Sequence, residues 1–169
     1  MQSKTSENSK TVTTDIVLPG NGNSINNLFG GELLARMDKV ASIAAKRHAE
    51  QIVVTSSINN VIFSKPIPVG SVLTLEAKVS RAFNTSMEVF IDVWIESLEN
   101  KVLTKVNEAI FTFVAIDLKG KPVKIPPIHP ESALEKKRFN GALRRRQLSL
   151  VLANKLSPKD ATELKALFE

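Results

Sequence analysis

The chain has 169 residues, 43% of them hydrophobic, enough for one domain with a core and too apolar for a disordered segment. It holds no cysteine, which excludes disulfides and thiol catalysis. The formal net charge is +6, the first residues lack the apolar stretch of a secretory signal, and no run approaches the roughly 18 apolar residues of a membrane span, so the expectation is a soluble, cytoplasmic protein.

Residues 1–13 are polar and read as a flexible tail. Ile16 to Leu18 fits a short edge strand, and the PGNGNSINN that follows is a dense cluster of loop formers. Leucines, alanines, Met37 and Val40 at helical spacing predict a helix from Gly31 to His48. Val53 to Phe63 is the next strand, and Pro66, Pro68 and Gly70 then turn the chain. Leu73, Leu75, Ala77 and Val79 alternate with polar residues and predict a second long strand. Met87, Val89, Ile91, Val93 and Ile95 alternate with Glu88, Phe90, Asp92, Trp94 and Glu96, the period of a half-buried antiparallel strand. Phe90 and Trp94 would leave an apolar patch on its other face for a partner to cover.

Val102 to Ile116, nearly apolar on both faces from Ala109, is predicted to be a central strand covered on both sides. DLKGK makes a turn, and KPVKIPPIHP blocks regular structure. The C-terminal segment is helical, with Ser157, Pro158 and Asp160 as a helix start. One long helix with about five strands predicts an α+β layering in which a sheet curls around a helix.

Charge is uneven. Residues 131–169 carry +4 of the excess, and between Leu134 and Leu148 six basic residues (Lys136, Lys137, Arg138, Arg144, Arg145, Arg146) face only Glu135. Such a stretch is either a solvated helix face or a site for an anionic partner, a polyphosphate or a nucleic acid. Strand aromatics interleaved with basic residues are lacking, which argues against nucleic acid.

On a helical wheel at about 100° per residue, Glu32, Arg36, Lys39, Lys46 and Glu50 form one narrow stripe, and the opposite arc is apolar. Asp38 lies off that stripe among Ala35, Ser42, Ala45 and Ala49. A carboxylate there either bonds a nearby loop or an arginine, or acts as general base or nucleophile in a partly dry cleft. Gly30 and Gly31 open the helix, where free amides meet the positive end of the dipole and a ligand carbonyl can approach them. A glycine turn required by φ/ψ alone is the plainer alternative. His48 falls on the apolar arc as a core residue, and His129 sits between prolines; two distant histidines make no metal site. No P-loop, Rossmann fingerprint or GxSxG elbow occurs.

Four stretches taken in order resemble one family. NSINNLFGGELLARMDKVASIAAKRH is similar to the loop-plus-helix signature of hotdog-fold acyl-CoA thioesterases. VTSSINNVIFSKPIPVGSVL resembles that family's strand and turn, with Ser71 in place of the usual aspartate. NTSMEVFIDVWIES and AIFTFVAIDLKGKPVKIP resemble its later strands, although Ala82-Phe83-Asn84 stands where members often carry a glycine. The resemblance spans residues 14–127, leaving 128–169 as a basic helical extension.

It implies a hotdog fold and hydrolysis of acyl-CoA to free fatty acid and coenzyme A, with no cofactor beyond coenzyme A as substrate and product. It implies subunits paired so that active sites lie at the dimer interface, assembled as a trimer of dimers (a hexamer). It places catalysis on Asp38, Asn23 and the Gly31 amide, with Asp38 as general base or nucleophile left open. Gly30, Arg81, Thr85, Ser86, Lys136, Lys137 and Arg138 are the expected substrate-binding residues, and no metal is expected. A non-catalytic acyl-CoA-binding module is the alternative. A dehydratase would need a histidine beside the acid, and His48 lies on the wrong arc.

Overall fold

The computed structural model describes residues 1–96 and 101–167. A short strand and a longer one open the chain: β1 (Lys4–Thr5) and, after a 3-10 turn, β2 (Thr11–Ile16). Helix α1 (Gly30–Ala49) follows, then β3 (Ile52–Ile62), β4 (Val72–Ala82), β5 (Ser86–Glu96) and β6 (Leu103–Ile116). Strand β7 (Ile128–His129), helix α2 (Ala133–Leu152) and the short α3 (Thr162–Lys165) complete it. Strands β2 to β6 form one antiparallel sheet in the order β2-β4-β5-β6-β3. The two strands flanking α1 in sequence are therefore the two edges, and α1 spans the face between them. The layout is the sheet-around-helix arrangement predicted from the element pattern.

Side chains alternate across each strand, so every second residue meets α1. Leu73, Leu75, Met87, Val89, Ile91, Phe111 and Phe113 are almost fully buried, and Met37, Val40, Ala41 and Ala44 of α1 pack into the same core. The alanines let the helix lie close to the sheet.

The first thirteen residues are not a free tail. Strand β1 pairs in parallel with β7, and β2 is an edge of the main sheet along Thr11 to Ile16 rather than Ile16 to Leu18. Polar residues there serve as bonding partners. The Lys4 ammonium caps the C-terminus of α1, donating to the His48 carbonyl at 2.9 Å and to Glu50 Oε1 at 2.7 Å. Buried Ser9 accepts the Val79 amide at 2.9 Å and donates to the Ser6 carbonyl at 2.7 Å. Hydrophobic patterning carries no signal for such a segment.

Strand β5 is buried on both faces rather than one, and the middle position in the sheet is its own rather than that of β6. Helix α2 covers the outer face, the side away from α1. Arg145 reaches Glu88 through two 2.8 Å bonds, and Arg138 bonds both oxygens of Asp92 at 2.8 Å while lying 3.7 Å from the Phe90 ring centroid. The patch at Phe90 is thus covered by this chain's own helix. Helix α2 starts at a capping box: Ser132 Oγ accepts the Glu135 amide at 3.2 Å, and Glu135 Oε2 accepts the Ser132 amide at 3.0 Å. Ser157, expected to start a helix, caps the 3-10 turn Pro158–Asp160 that precedes the short α3.

Truncating one partner of the buried pair should cost more than removing both. Arg145→Leu is expected to destabilise the fold by about 3 kcal/mol or more, because Glu88, 3% exposed, keeps a desolvated charge, and Glu88→Leu with Arg145→Leu should cost less. Denaturant midpoints of the three proteins check this.

His48 is fully buried and its Nε2 donates to the Pro126 carbonyl at 2.8 Å, while Nδ1 has no partner. Burial holds the imidazole below its ordinary 6.5, outweighing the Pro126 bond, which acts the other way; nearby Lys4 lowers it further and Glu50 opposes that. Between the folded value and 6.5 only the unfolded chain binds the proton, so stability is full above 6.5 and falls with pH through that window. Urea midpoints at pH 7.5 and 5.5 should differ for wild type and differ less for His48→Gln.

Candidate functional site

The loop from Val17 to Phe29 is closed on itself and stitched to the turn after β3. Gly70 donates to the Val17 carbonyl at 2.7 Å, Val69 to that of Asn26 at 2.9 Å, and Leu28 to that of Ile67 at 2.7 Å. Its asparagines divide the work. Asn21 Oδ1 accepts Arg36 Nη2 at 3.1 Å, and Arg36 also faces Asp15 at 3.2 Å, which ties loop, helix and edge strand together. Asn26 takes a left-handed φ of 56°. Asn23 Oδ1 accepts the amides of Ile25 and Asn27 at 3.0 and 3.1 Å, a local turn that holds the side chain and leaves its NH2 group as donor.

The loop delivers the chain to the N-terminus of α1. Phe29, the cap residue, makes no side-chain capping bond, so the first amides of the helix remain unpartnered. Gly30 and Gly31 have ordinary negative φ, and a Cβ added to either would meet only ring carbons of Phe63 or Phe29 at 3.5 Å or beyond. Backbone strain therefore does not require glycine here. What the pair does is leave the amides open, with half-exposed Phe29 and Phe63 as apolar walls.

Asp38 lies two turns further along the same helix, half-buried, and accepts the Thr55 hydroxyl from β3 at 2.7 Å. Thr55 pairs with core residue Phe113, so it stands on the α1 face of the sheet. Seven residues of helix put Asp38 about 10 Å from Gly31 along the axis. Side chains lean toward a helix N-terminus. That interval holds one hydrogen bond to a carbonyl at Gly31, an attack distance of about 3 Å and the carboxylate itself.

The expected substrate-binding residues other than Gly30 do not join this group within one subunit. Arg81 and Ser86 stand on the outer face, engaged with α2, and Arg138 reaches down from α2 to β5. Arg81 donates to the Phe139 carbonyl at 3.0 Å and stacks on that ring, Ser86 Oγ accepts Arg146 at 2.7 Å, and Arg138 is committed to Asp92. Thr85 lines a cleft on the same face, and Lys136 and Lys137 are exposed on α2. Half of the basic run is thus the means by which α2 docks. His48 is sealed in the core, and among the described residues no three of His, Cys, Asp and Glu converge as metal ligands. No helix of the described chain is long and apolar enough to cross a membrane.

Thr55 carries no motif of its own in the sequence, and Arg146 is marked there only as one of six basic residues between Leu134 and Leu148. Thr55 is found only by its position opposite Asp38, and Arg146 by which face of α2 it occupies.

A family model described as the thioesterase superfamily matches residues 25–101. A Bacillus subtilis protein named as an uncharacterized acyl-CoA thioester hydrolase, YkhA, is 40% identical over 137 residues, 81% of this chain and 80% of that protein. The chain belongs to the thioesterase superfamily. Among solved structures similar to this superfamily member, an apo-hexameric acyl-CoA thioesterase has a TM-score of 0.87 at 37% identity, covering 90% of this chain and 98% of that one. An acyl-CoA hydrolase from Staphylococcus aureus, in complex with butyryl coenzyme A, coenzyme A and coenzyme A disulfide, has a TM-score of 0.84 at 35% identity, covering 96% and 98%. That hydrolase has also been solved with an asparagine, an aspartate fifteen positions later and a threonine seventeen positions after that each replaced by alanine. The thioesterase-superfamily fold of this chain is the hotdog fold.

Proposed function

We propose that this protein hydrolyses acyl-CoA thioesters, with the Asp38–Thr55 pair beside the open N-terminus of α1 as its reaction centre. The observation that carries the reading is the 2.7 Å bond from Thr55 to a half-buried carboxylate, in a chain of this superfamily. The spacing of the three alanine variants in the Staphylococcus aureus hydrolase is that of Asn23, Asp38 and Thr55 here, which supports the same three residues.

The thioester carbonyl accepts from the Gly31 amide, with Gly30 leaving room for it, and the helix dipole stabilises the developing oxyanion. Asp38 either takes a proton from the attacking water or attacks the carbonyl carbon itself, giving an anhydride that water then opens. In both routes the C–S bond breaks, coenzyme A leaves as a thiolate and the acyl group becomes a carboxylic acid. Thr55 fixes the Asp38 rotamer and leaves one oxygen for chemistry, and the Asn23 NH2 orients water or carbonyl.

The same reading includes self-association. Edge strand β3 exposes Ile52, Val54, Ile58 and Ile62, an unpaired apolar edge suited to a second copy. Pairing there would set Asp38 and Thr55 at the interface, where a partner's loop supplies Asn23, and three such dimers would make the hexamer. Lys136 and Lys137, exposed and uncommitted among the described residues, remain candidates for attracting the phosphates, whereas Arg81 is held by α2 and Arg138 by Asp92. No cofactor is called for, and a cytoplasmic setting is in keeping with a cysteine-free chain.

Thiol release from acyl-CoAs of increasing chain length tests the reading. Asp38→Ala is expected to lose about 100-fold or more in kcat while folding normally. Thr55→Val should lower kcat about tenfold with little change in KM, as loss of positioning rather than of binding. Wild-type turnover in a folded Asp38→Ala would remove Asp38 from the mechanism, and tight coenzyme A binding with no release from any substrate would favour a non-catalytic binding module.

A further inference from the structure

Asn107 of β6 is a polar side chain on the apolar face of the sheet. It pairs with Val93 of β5 and shares that core residue's face, the one that meets α1. The next positions on this face of β6 are Ala109, Phe111, Phe113 and Ala115, all fully buried. Asn107 is only 2% exposed, and its Oδ1 has no hydrogen-bond partner among the described residues. A buried acceptor left unpaired destabilises a fold, so a leucine of similar size would serve packing at least as well. The amide therefore needs a reason other than packing.

Its donor side supplies one. Nδ2 donates to the Lys65 carbonyl at 3.4 Å. The bond is long, but an amide sealed from water cannot exchange it for another, so the turn that carries Lys65 is tethered to the sheet. The last β3–β6 pair is Ile62 with Glu108, which makes Phe63 and Asn107 the next residues along the two strands. The Phe63 ring in turn lies against Gly30, 3.7 Å from where a Cβ on that glycine would stand. Pro66 and Pro68 carry no N–H, so carbonyls do much of the work of fixing this turn. Lys65 offers its carbonyl to Asn107, and Ile67 offers its own to the Leu28 amide at 2.7 Å. Val69 completes the stitch by donating to the Asn26 carbonyl at 2.9 Å. The path from Asn107 to the N-terminus of α1 is thus short: Lys65, Pro66 and Ile67, then across one bond to Leu28, two residues before Gly30.

We propose that Asn107 is a positioning residue for thioester hydrolysis. Its amide fixes the 63–70 turn, and the turn sets where segment 29–31 presents its amides to the thioester carbonyl. Asn107 acts through backbone rather than by touching substrate. This role presupposes the acyl-CoA hydrolysis proposed above, and it lies on a strand apart from the elements that carry Asn23, Asp38 and Thr55. A donor displaced by about 1 Å loses much of its hold on a developing oxyanion. A loosened turn therefore lowers kcat while the rest of the substrate binds as before.

Asn107→Leu and Asn107→Ala in the full-length protein separate positioning from packing. Both lack the amide, but leucine fills its space and alanine leaves a cavity. Asn107→Leu is expected to unfold at a urea concentration equal to or above that of wild type, and Asn107→Ala below it. Both should lower kcat for acyl-CoA about tenfold, to a similar value, with KM within about twofold of wild type. Hydrogen exchange at the Leu28 and Val69 amides should be about tenfold faster in both variants. A wild-type kcat in both, a kcat that follows the urea midpoints instead of the missing amide, or unchanged exchange at Leu28 and Val69 overturns the proposal. So does an Asn107→Leu protein that unfolds well below wild type, which assigns Asn107 to packing. A wild type that releases no thiol from any acyl-CoA sinks the proposed function and the catalytic role of Asn107 with it, whereas faster exchange alone still establishes the tether.

Discussion

Glu88 and Asp92 stand on the outer face of the middle strand with 3% and 7% of their surface exposed. Carboxylates that dry must be neutralised by cations in good geometry, and α2 supplies Arg145 and Arg138. The match is metric. Seven residues of helix return to the same face after about 10.5 Å, and four residues of strand cover about 13 Å. Helix α2 therefore runs antiparallel to β5 with one arginine over each acid, and the capping box at Ser132 sets where that register begins.

That docking divides the subunit into two chemical faces. The α1 side carries an apolar core, an open helix N-terminus and the Asp38–Thr55 pair. The α2 side carries paired charges and, among the described residues, arginines without an acid partner, Arg144 and Arg146. The five-stranded sheet separates the two faces within a subunit. On the first face, the loop before α1 is held by Arg36, which bonds Asn21 and Asp15 together. The asparagine-rich turn thus has one conformation, and the helix opens in one direction.

Much of this was legible in the sequence because patterning reports burial. The helix and four long strands appear within one to three residues of the periodic stretches, and Asp38 stands out as an acid among small residues. Patterning was blind where polar atoms do the structural work. Residues 4–16 look solvated because their partners are carbonyls and amides far along the chain. Alternation on β5 suggested one solvated face, since an acid at every fourth position reads as exposed unless the arginines opposite are known. The basic run read as a ligand site, yet Arg138 and Arg145 are internal ion-pair partners. Thr55 could not be found by spacing, because its role is set by strand register.

The pairing of β1 with β7 joins positions more than a hundred residues apart, with Ser3 reaching the Pro127 carbonyl across a separation of 124. Lys4 closes the α1 C-terminus from that same segment. The strand pairing cannot form until residue 129 has been made, so this clasp belongs to the late, slow part of folding. During synthesis on the ribosome, Lys4 and the whole of α1 emerge before the strand that β1 pairs with, so the segment carrying that ammonium gains its strand partner only after β6 has been made.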